Sequence, residues 1–492
     1  MSVSRAAHTR SRAARLTQTR LATTTAVATA ITLVAASASA QYSSDKVSMY
    51  DQITVSGFGT GADNGNDCWG YVSASGREYA LMGISNALAV VEVTDPANPV
   101  VVDTVSHTNS LWGDVKVYQD YAYFVNESGG GIDVIDLSDV DNGTVSLVRR
   151  VTSDGLRTSH NVVVNTDTGY LYTVGSNIYG GGLVAYDLST PSNPVRVGQW
   201  TGSYIHDAQV VRYPDGREIA FCFCGENGLY IVDASNKNSM STIKRVTYSG
   251  LSYCHQGWAD EELNYLYVDD ELDEYYGYEP TTRTIIVDIS DLPNSAYAGE
   301  FTTGLPSSDH NLYVKGDYIF EANYTSGVRI FDASDRLNPV EAGWFDTYPS
   351  NNSVGFNGNW NVYPYLPSGT VLASDMQRGL FILDASEAVD DMRLSVDPLF
   401  AGQMANLYVT GATASGPVYF VYSLAGTGST YLAALNVTLD LANPVLAGSD
   451  TADVNGDATL SKMVPNAAKN KLVWIQACEY QGKTNVVNEQ VN

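Results

Sequence analysis

Gly327-Val-Arg-Ile-Phe-Asp332-Ala-Ser-Asp-Arg-Leu-Asn338-Pro339 is the stretch that decides the fold. Its first half is a short run of β-branched and aromatic residues ending in an aspartate. Such residues favour strands, and Asp and Asn-Pro pairs favour turns. The same wording returns at Leu88–Pro99 and Gly182–Pro194. Shorter forms are Gly131–Asp136, Gly228–Asp233, Thr284–Asp288 and Gly379–Asp384, which makes seven copies.

A second column lies upstream of each copy. It reads Cys68-Trp69-Gly70, Leu111-Trp112-Gly113, Ser159-His160-Asn161, Ile205-His206-Asp207, Cys254-His255-Gln256, Asp309-His310-Asn311 and Asn359-Trp360-Asn361. The intervals between central residues are 43, 48, 46, 49, 55 and 50. Each copy leads into a short alternating strand, a turn and a second strand, such as Tyr121–Val125 or Tyr318–Glu321. Units of about four strands repeating every ~40–50 residues predict a β-propeller. The fold class expected is all-β: a seven-bladed β-propeller over 41–388, then a small C-terminal β-sandwich over 390–492. Blade seven runs out of sequence after Asp384, and residues 47–57 (VSMYDQITVSG) are a spare strand that would close it. From about Asp390 the register stops. Asp453-Val-Asn-Gly-Asp457 resembles a calcium loop but lacks the distal Glu, and reads as a plain turn.

Composition agrees with strands and turns: the 492 residues include 33 Tyr and 43 Gly, and only 16% are charged. Residues 1–20 hold Arg5, Arg10, Arg12, Arg15 and Arg20 without an acid. Residues 21–40 are apolar or small and end Ala38-Ser39-Ala40. This is the layout of a cleaved export signal over 1–40, with a retained membrane anchor as the alternative. The expected location is extracellular or at the cell surface. Removing five arginines from a net charge of −27 leaves −32. A chain so acidic repels nucleic acid and anionic lipid, which removes both as partners. No later segment is apolar enough to span a bilayer. Five cysteines remain, Cys68, Cys222, Cys224, Cys254 and Cys478. Free buried thiols and one disulfide from Cys222 or Cys224 to Cys254 are both open readings.

In an antiparallel blade the start of strand one and the end of strand two lie at the same edge. The Trp/His column and the polar ends of the second strands therefore rim one mouth of the central channel. His160, His206, His255 and His310 come from four consecutive blades and suit a divalent transition metal. Asp270, Glu271, Asp273 and Glu274 crowd carboxylates together, and a bound Ca²⁺ would relieve their repulsion. The bland alternatives are turn-capping histidines and a solvated acidic loop. Trp69, Trp112, Asp114, Asn161, Asp207, Gln256, Trp258, Asn311, Trp360, Asn361 and Arg283 complete the expected rim as ligand-binding residues. Aromatics beside carboxylates suit sugars, though Trp at a blade start also packs blades together. No catalytic residue can be chosen: there is no nucleophile elbow, and no carboxylate pair stands out.

These motifs resemble those of secreted LVIVD-repeat proteins of the choice-of-anchor B family. The matching stretches are Gly76–Leu81, Ser159–Asn161, His206–Gln209, His255–Trp258, Asp270–Glu274, Thr282–Thr284, Asp309–Gly316, Asn323–Arg329 and Phe356–Trp360, in order across about residues 47–386. The resemblance implies export, a propeller-like domain and a variable C-terminal anchoring segment. It implies no established reaction. Where that family usually has Trp-Arg-Asp, this chain has Trp112-Gly113-Asp114. The function expected is binding of an extracellular protein or carbohydrate ligand. The alternative is a metal-dependent polysaccharide lyase or hydrolase.

Overall fold

The computed structural model describes residues 42–389, 392–480 and 482–492; the leader read in residues 1–40 lies outside them. Among the described residues the chain is built of strands, with only 3₁₀ turns of three or four residues as helical pieces. No helix among them is long and apolar enough to cross a membrane.

Residues 44–384 form seven antiparallel sheets, each of four consecutively ordered strands except where the N-terminal segment joins in. The second sheet is typical: Gly113–Tyr118, Tyr121–Asn126, Ile132–Asp136 and Ser146–Val151 lie side by side. The first strands are Gly65–Val72, Gly113–Tyr118, Asn161–Asn165, Asp207–Arg212, Cys254–Ala259, Asn311–Lys315 and Asn359–Tyr363. Each touches the next, and the seventh touches the first, so they form a closed circuit. The seventh sheet takes its outer strand from the other end of the chain: Ser48–Ile53 pairs antiparallel with Gly379–Asp384.

Apolar side chains fill the spaces between consecutive sheets. Leu81 and Leu88 of the first sheet meet Phe124 and Ile135 of the second. Met82 of the first meets Leu372 and Ile382 of the seventh. The third strands are covered on both faces, which is why they read as continuous apolar runs.

The aspartate that closes each run has a local task. Asp136, Asp187, Asp233, Asp288, Asp332 and Asp384 each accept the backbone N–H two residues on, at 2.6–3.0 Å, starting the turn to strand four. The residue between is buried: Leu137, Leu188, Ala234, Ile289, Ala333 and Ala385. The first sheet departs from this, with Glu92 in place of the aspartate. The glycine opening the run is also dictated. Gly131, Gly228, Gly327 and Gly379 have positive φ, and a Cβ there would lie 2.1–2.6 Å from a carbonyl at the end of strand four.

The first strands are joined to one another by side chains, six of them at one register. Asp67 Oδ2 accepts from Val115 N at 2.9 Å, and Asp114 Oδ2 from Val162 N at 2.8 Å. Asn161 Nδ2 donates to His206 O at 3.4 Å. Gln256 bonds both ends of one peptide residue, accepting from Leu312 N at 2.9 Å and donating to Leu312 O at 3.1 Å. Asn311 Nδ2 reaches Trp360 O at 3.2 Å, and Asn361 Nδ2 reaches Cys68 O at 3.0 Å. Asp207 instead bonds its own next N–H, and Gln209 makes the fourth-to-fifth link by accepting from Ala259 N at 2.8 Å. These bonds run once around the seven sheets. Lys116 neutralises part of the belt, with Nζ 3.3 Å from Asp67 and 2.5 Å from Asp114.

After residue 391 the strands change partners. Arg393–Val396, Met404–Thr410 and Ala458–Met463 form one sheet. Pro417–Ser423 lies between Val445–Thr451 and Leu472–Glu479 in another. Leu394, Leu407, Phe420 and Ile475 bury into one shared core. Asp453 Oδ1 accepts from Asn455 N and Asp457 N at 2.7 and 3.1 Å, a turn closed on itself. All five cysteines are free and buried, so neither Cys222 nor Cys224 is bonded to Cys254.

Two outcomes follow from this wiring. Gly327→Ala places a methyl 2.3 Å from Phe345 O, whereas Gly216 has a similar positive φ and open space around it. Urea midpoints should show Gly216→Ala losing about 1–2 kcal/mol from backbone strain, and Gly327→Ala losing a further ~1–3 kcal/mol from the clash. Lys116→Met leaves two buried carboxylates without their cation, and should cost about 3–5 kcal/mol at neutral pH. Burial already holds the Asp67 carboxyl well above its ordinary range, with Lys116 opposing. Removing Lys116 raises it further. A group raised in the folded state contributes stability at acid pH and loses it as pH rises, so the variant's deficit should shrink as pH falls toward ~4.

Candidate functional site

The belt divides the channel in two, and the sequence-selected residues fall on both sides of it. The residue just before the belt position is His160, His206, His255, His310 or Trp360 in sheets three to seven. Their rings stack edge to edge: His160–His206 4.1 Å, His206–His255 4.2 Å, His255–His310 4.4 Å and His310–Trp360 4.4 Å between centroids. Trp112 continues the arc by stacking on Trp360 at 5.0 Å. His206, His255, His310 and Trp360 are all buried, so this mouth is closed by its own side chains.

Backbone contacts orient these rings. His206 Nδ1 lies 3.3 Å from His255 O, and His310 Nδ1 lies 2.6 Å from Trp360 O. Each carbonyl accepts only from a protonated Nδ1, which leaves Nε2 with its lone pair. His160 Nδ1 pairs with Glu127 Oε1 at 2.7 Å, which lowers the Glu127 carboxyl. Burial first, then neighbouring histidines, pushes His206 and His255 well below the ordinary imidazole range. Burial takes His310 to about 3. All three are therefore neutral near pH 7.

The carboxylates of the acidic run have different surroundings. Asp270 accepts from Ser252 N and Tyr253 N and fixes the turn before Cys254. Asp273 accepts from Arg283 Nε at 2.8 Å, and Arg283 Nη1 and Nη2 donate to Ser249 O and Gly250 O. Glu274 is pushed up to about 10, first by burial and then by Asp273 beside it, and so holds a proton. Glu271 alone turns to the histidines. Its Oε2 stands 3.7 Å from His255 Nε2, while its Oε1 accepts from Tyr324 Oη at 2.6 Å. Burial raises it to about 7, with the Tyr324 bond opposing. His255, His310 and Glu271 each offer a ligand atom, and these atoms lie within 4.8 Å of one another.

Beyond the belt, at the other end of the first strands, lies an open cavity of about 470 Å³. Trp69 and Trp258 belong here and not to the histidine rim. The reason is register. The first strand of sheet one starts early and carries a bulge between Gly65 and Cys68. This places Asp67 at the belt and Trp69 two residues beyond it. Trp258, Tyr313 and Tyr363 occupy the same place after Gln256, Asn311 and Asn361. Trp258–Tyr313, Tyr313–Trp69, Trp69–Tyr363 and Tyr363–Tyr365 centroids are 4.9, 5.7, 4.8 and 5.4 Å apart, giving one continuous aromatic wall. Lys116 Nζ lies 4.5 Å from the Trp69 ring centre. Asp207 and Gln256 reach the cavity from the belt. Burial first, then the Asp114 charge, pushes Asp207 up to about 7.

The expected rim thus separates by partner. Asp114, Asn161, Asn311 and Asn361 are engaged with the next sheet, and Arg283 with the acidic loop. Trp112 and Trp360 cap the histidine arc; Trp69, Trp258, Asp207 and Gln256 border the cavity. Sequence reading missed Lys116, Tyr313, Tyr363, Tyr365 and Tyr324. The first three were findable by counting two residues on from each belt residue.

Three segments, residues 113–145, 220–247 and 308–347, match the LVIVD repeat. No curated protein matches the chain. Among solved structures, the chain is similar to a fungal alcohol oxidase of the AA5 family in complex with copper. That likeness has 10% identity and a TM-score of 0.50, and covers 92% of this chain and 99% of the oxidase. YCF48 bound to D1 peptide is similar at 9% identity and TM-score 0.45, over 70% of this chain and 94% of that one. Sqt1 of Saccharomyces cerevisiae is similar at 13% identity and TM-score 0.43, over 64% and 82%. At such identities the likeness to the oxidase concerns fold alone. The chain is an all-β protein of propeller-like architecture that carries LVIVD repeats.

Proposed function

We propose that the chain is an exported seven-bladed propeller with a C-terminal sandwich, and that it binds a neutral saccharide in the aromatic-walled cavity. The observation that carries this reading is the cavity itself. Its volume of about 470 Å³ lies within the ~300–1,000 Å³ usual for small-molecule sites. One wall is a run of indole and phenol rings, which suit the apolar faces of sugar rings. The floor supplies Asp207, Gln256 and Lys116, which can hydrogen-bond hydroxyl groups. Asp67 and Asp114 already engage the Lys116 ammonium. The floor therefore has no free positive charge for a uronate or sulfate, and the chain's net charge of −27 adds to that exclusion. The arginine-rich residues 1–20 support export, and the C-terminal module would hold the protein at a surface.

Calorimetric titration of the purified chain against a panel of neutral oligosaccharides tests the reading. At least one should bind, and Trp258→Ala should weaken it by about 10- to 100-fold, the ~1.4–2.8 kcal/mol of one aromatic stacking face. If no neutral saccharide binds, or if Trp258→Ala and Trp69→Ala bind as the parent does, the cavity is not the site. Affinity should also rise about two- to tenfold from pH 6 to pH 8, because Asp207, at about 7, becomes a charged acceptor over that interval. Asp207→Asn should flatten the profile.

A further inference from the structure

The second site lies at the opposite end of the channel and rests on different residues. His255 is a buried side chain. Its Nδ1 has no hydrogen-bond partner. Its Nε2 is 3.7 Å from Glu271 Oε2, beyond hydrogen-bond reach. The 3.7 Å gap is close to what one ion would set. Two donors at ~2.1 Å from a tetrahedral ion stand roughly 3.4 Å apart. His310 adds a third donor, with all three ligand atoms inside 4.8 Å.

We infer that His255, His310 and Glu271 hold one divalent transition metal ion, with Zn²⁺ the best fit to the donor set. Two imidazole nitrogens and one carboxylate oxygen form a common zinc set. Calcium is disfavoured, since it wants six to eight oxygens. The supporting shell is in place. Trp360 O receives His310 Nδ1 at 2.6 Å and turns its Nε2 away from the backbone. Tyr324 Oη holds Glu271 Oε1 at 2.6 Å and leaves Oε2 for the ion. Such outer contacts fix ligand orientation in metal sites. The site accounts for Glu271 turning away from Asp270 and Asp273, which bond the Ser252–Tyr253 backbone and Arg283. His160 and His206 stand further along the arc and are not ligands in this assignment.

The test uses the full chain without an affinity tag, stripped with chelator and dialysed. Zn²⁺ titration followed by elemental analysis should give one equivalent per chain. Co²⁺ in its place should give the intense visible absorption of a four-coordinate ion. Glu271→Gln keeps the size of the side chain and an acceptor for Tyr324. It should retain the fold by circular dichroism and weaken Zn²⁺ binding by at least tenfold. His107→Ala, in a histidine outside the arc, should leave binding unchanged, and Trp258→Ala should do the same while losing saccharide affinity. No stoichiometric Zn²⁺ on the folded parent, or undiminished binding by Glu271→Gln, would overturn the assignment whatever the outcome at the aromatic cavity.

Discussion

A single set of hydrogen bonds holds the ring together: side chains of the first strands, six at one register and Gln209 two residues on, bonding the backbone of the next sheet. The apolar cores between sheets give most of the burial, but they are non-directional and do not fix how one sheet slides on another. The belt does. Gln256 on Leu312 is the clearest link, since it satisfies the N–H and the C=O of one residue together. Where the belt residue is charged, as at Asp67 and Asp114, Lys116 is bound between them. Buried polar networks hold best when their members are satisfied; this one closes on itself, with Asn311 Oδ1 left without a partner.

Everything else is placed by that register. One residue before the belt, side chains turn to the closed mouth and stack as the histidine–tryptophan arc. Two residues after it, they turn to the open mouth and build the aromatic wall. The two ends of one strand set therefore carry different chemistry: neutral imidazoles with a carboxylate at one end, ring faces with hydroxyl-binding groups at the other. The large loop at 271–283 serves the first end, because it brings Glu271 over His255 and uses Arg283 to fasten Asp273.

The architecture was legible because it is periodic. An apolar run, an aspartate and a turn recur, and each part has a local physical cause: a strand covered on both faces, an acceptor for the N–H two residues on, a glycine pressed against a carbonyl. The site was only half legible. Asn161, Asn311 and Asn361 were visible as a polar column, but a sequence does not say whether an amide faces the channel or the next sheet. Trp69 was misaligned because the bulge at Gly65–Cys68 shifts the first strand, and a bulge leaves no fixed residue signature. The acidic run stays a cluster in part, since Glu274, Asp269 and Asp273 lie near enough to Asp309 to add to the effect of burial in raising its carboxyl. In space, Asp270 and Asp273 are claimed by separate turns, and only Glu271 reaches the histidines.

The belt separates the proposed metal-holding end from the proposed ligand-receiving end. Diffraction from crystals of the full chain grown with Zn²⁺, recorded on both sides of the zinc absorption edge, tests it most directly. The account predicts one strong anomalous peak between His255, His310 and Glu271, and none in the cavity bounded by Trp69 and Trp258. A peak in that cavity, a peak shared by His160 and His206 alone, or no peak at full zinc occupancy of the solution would contradict it.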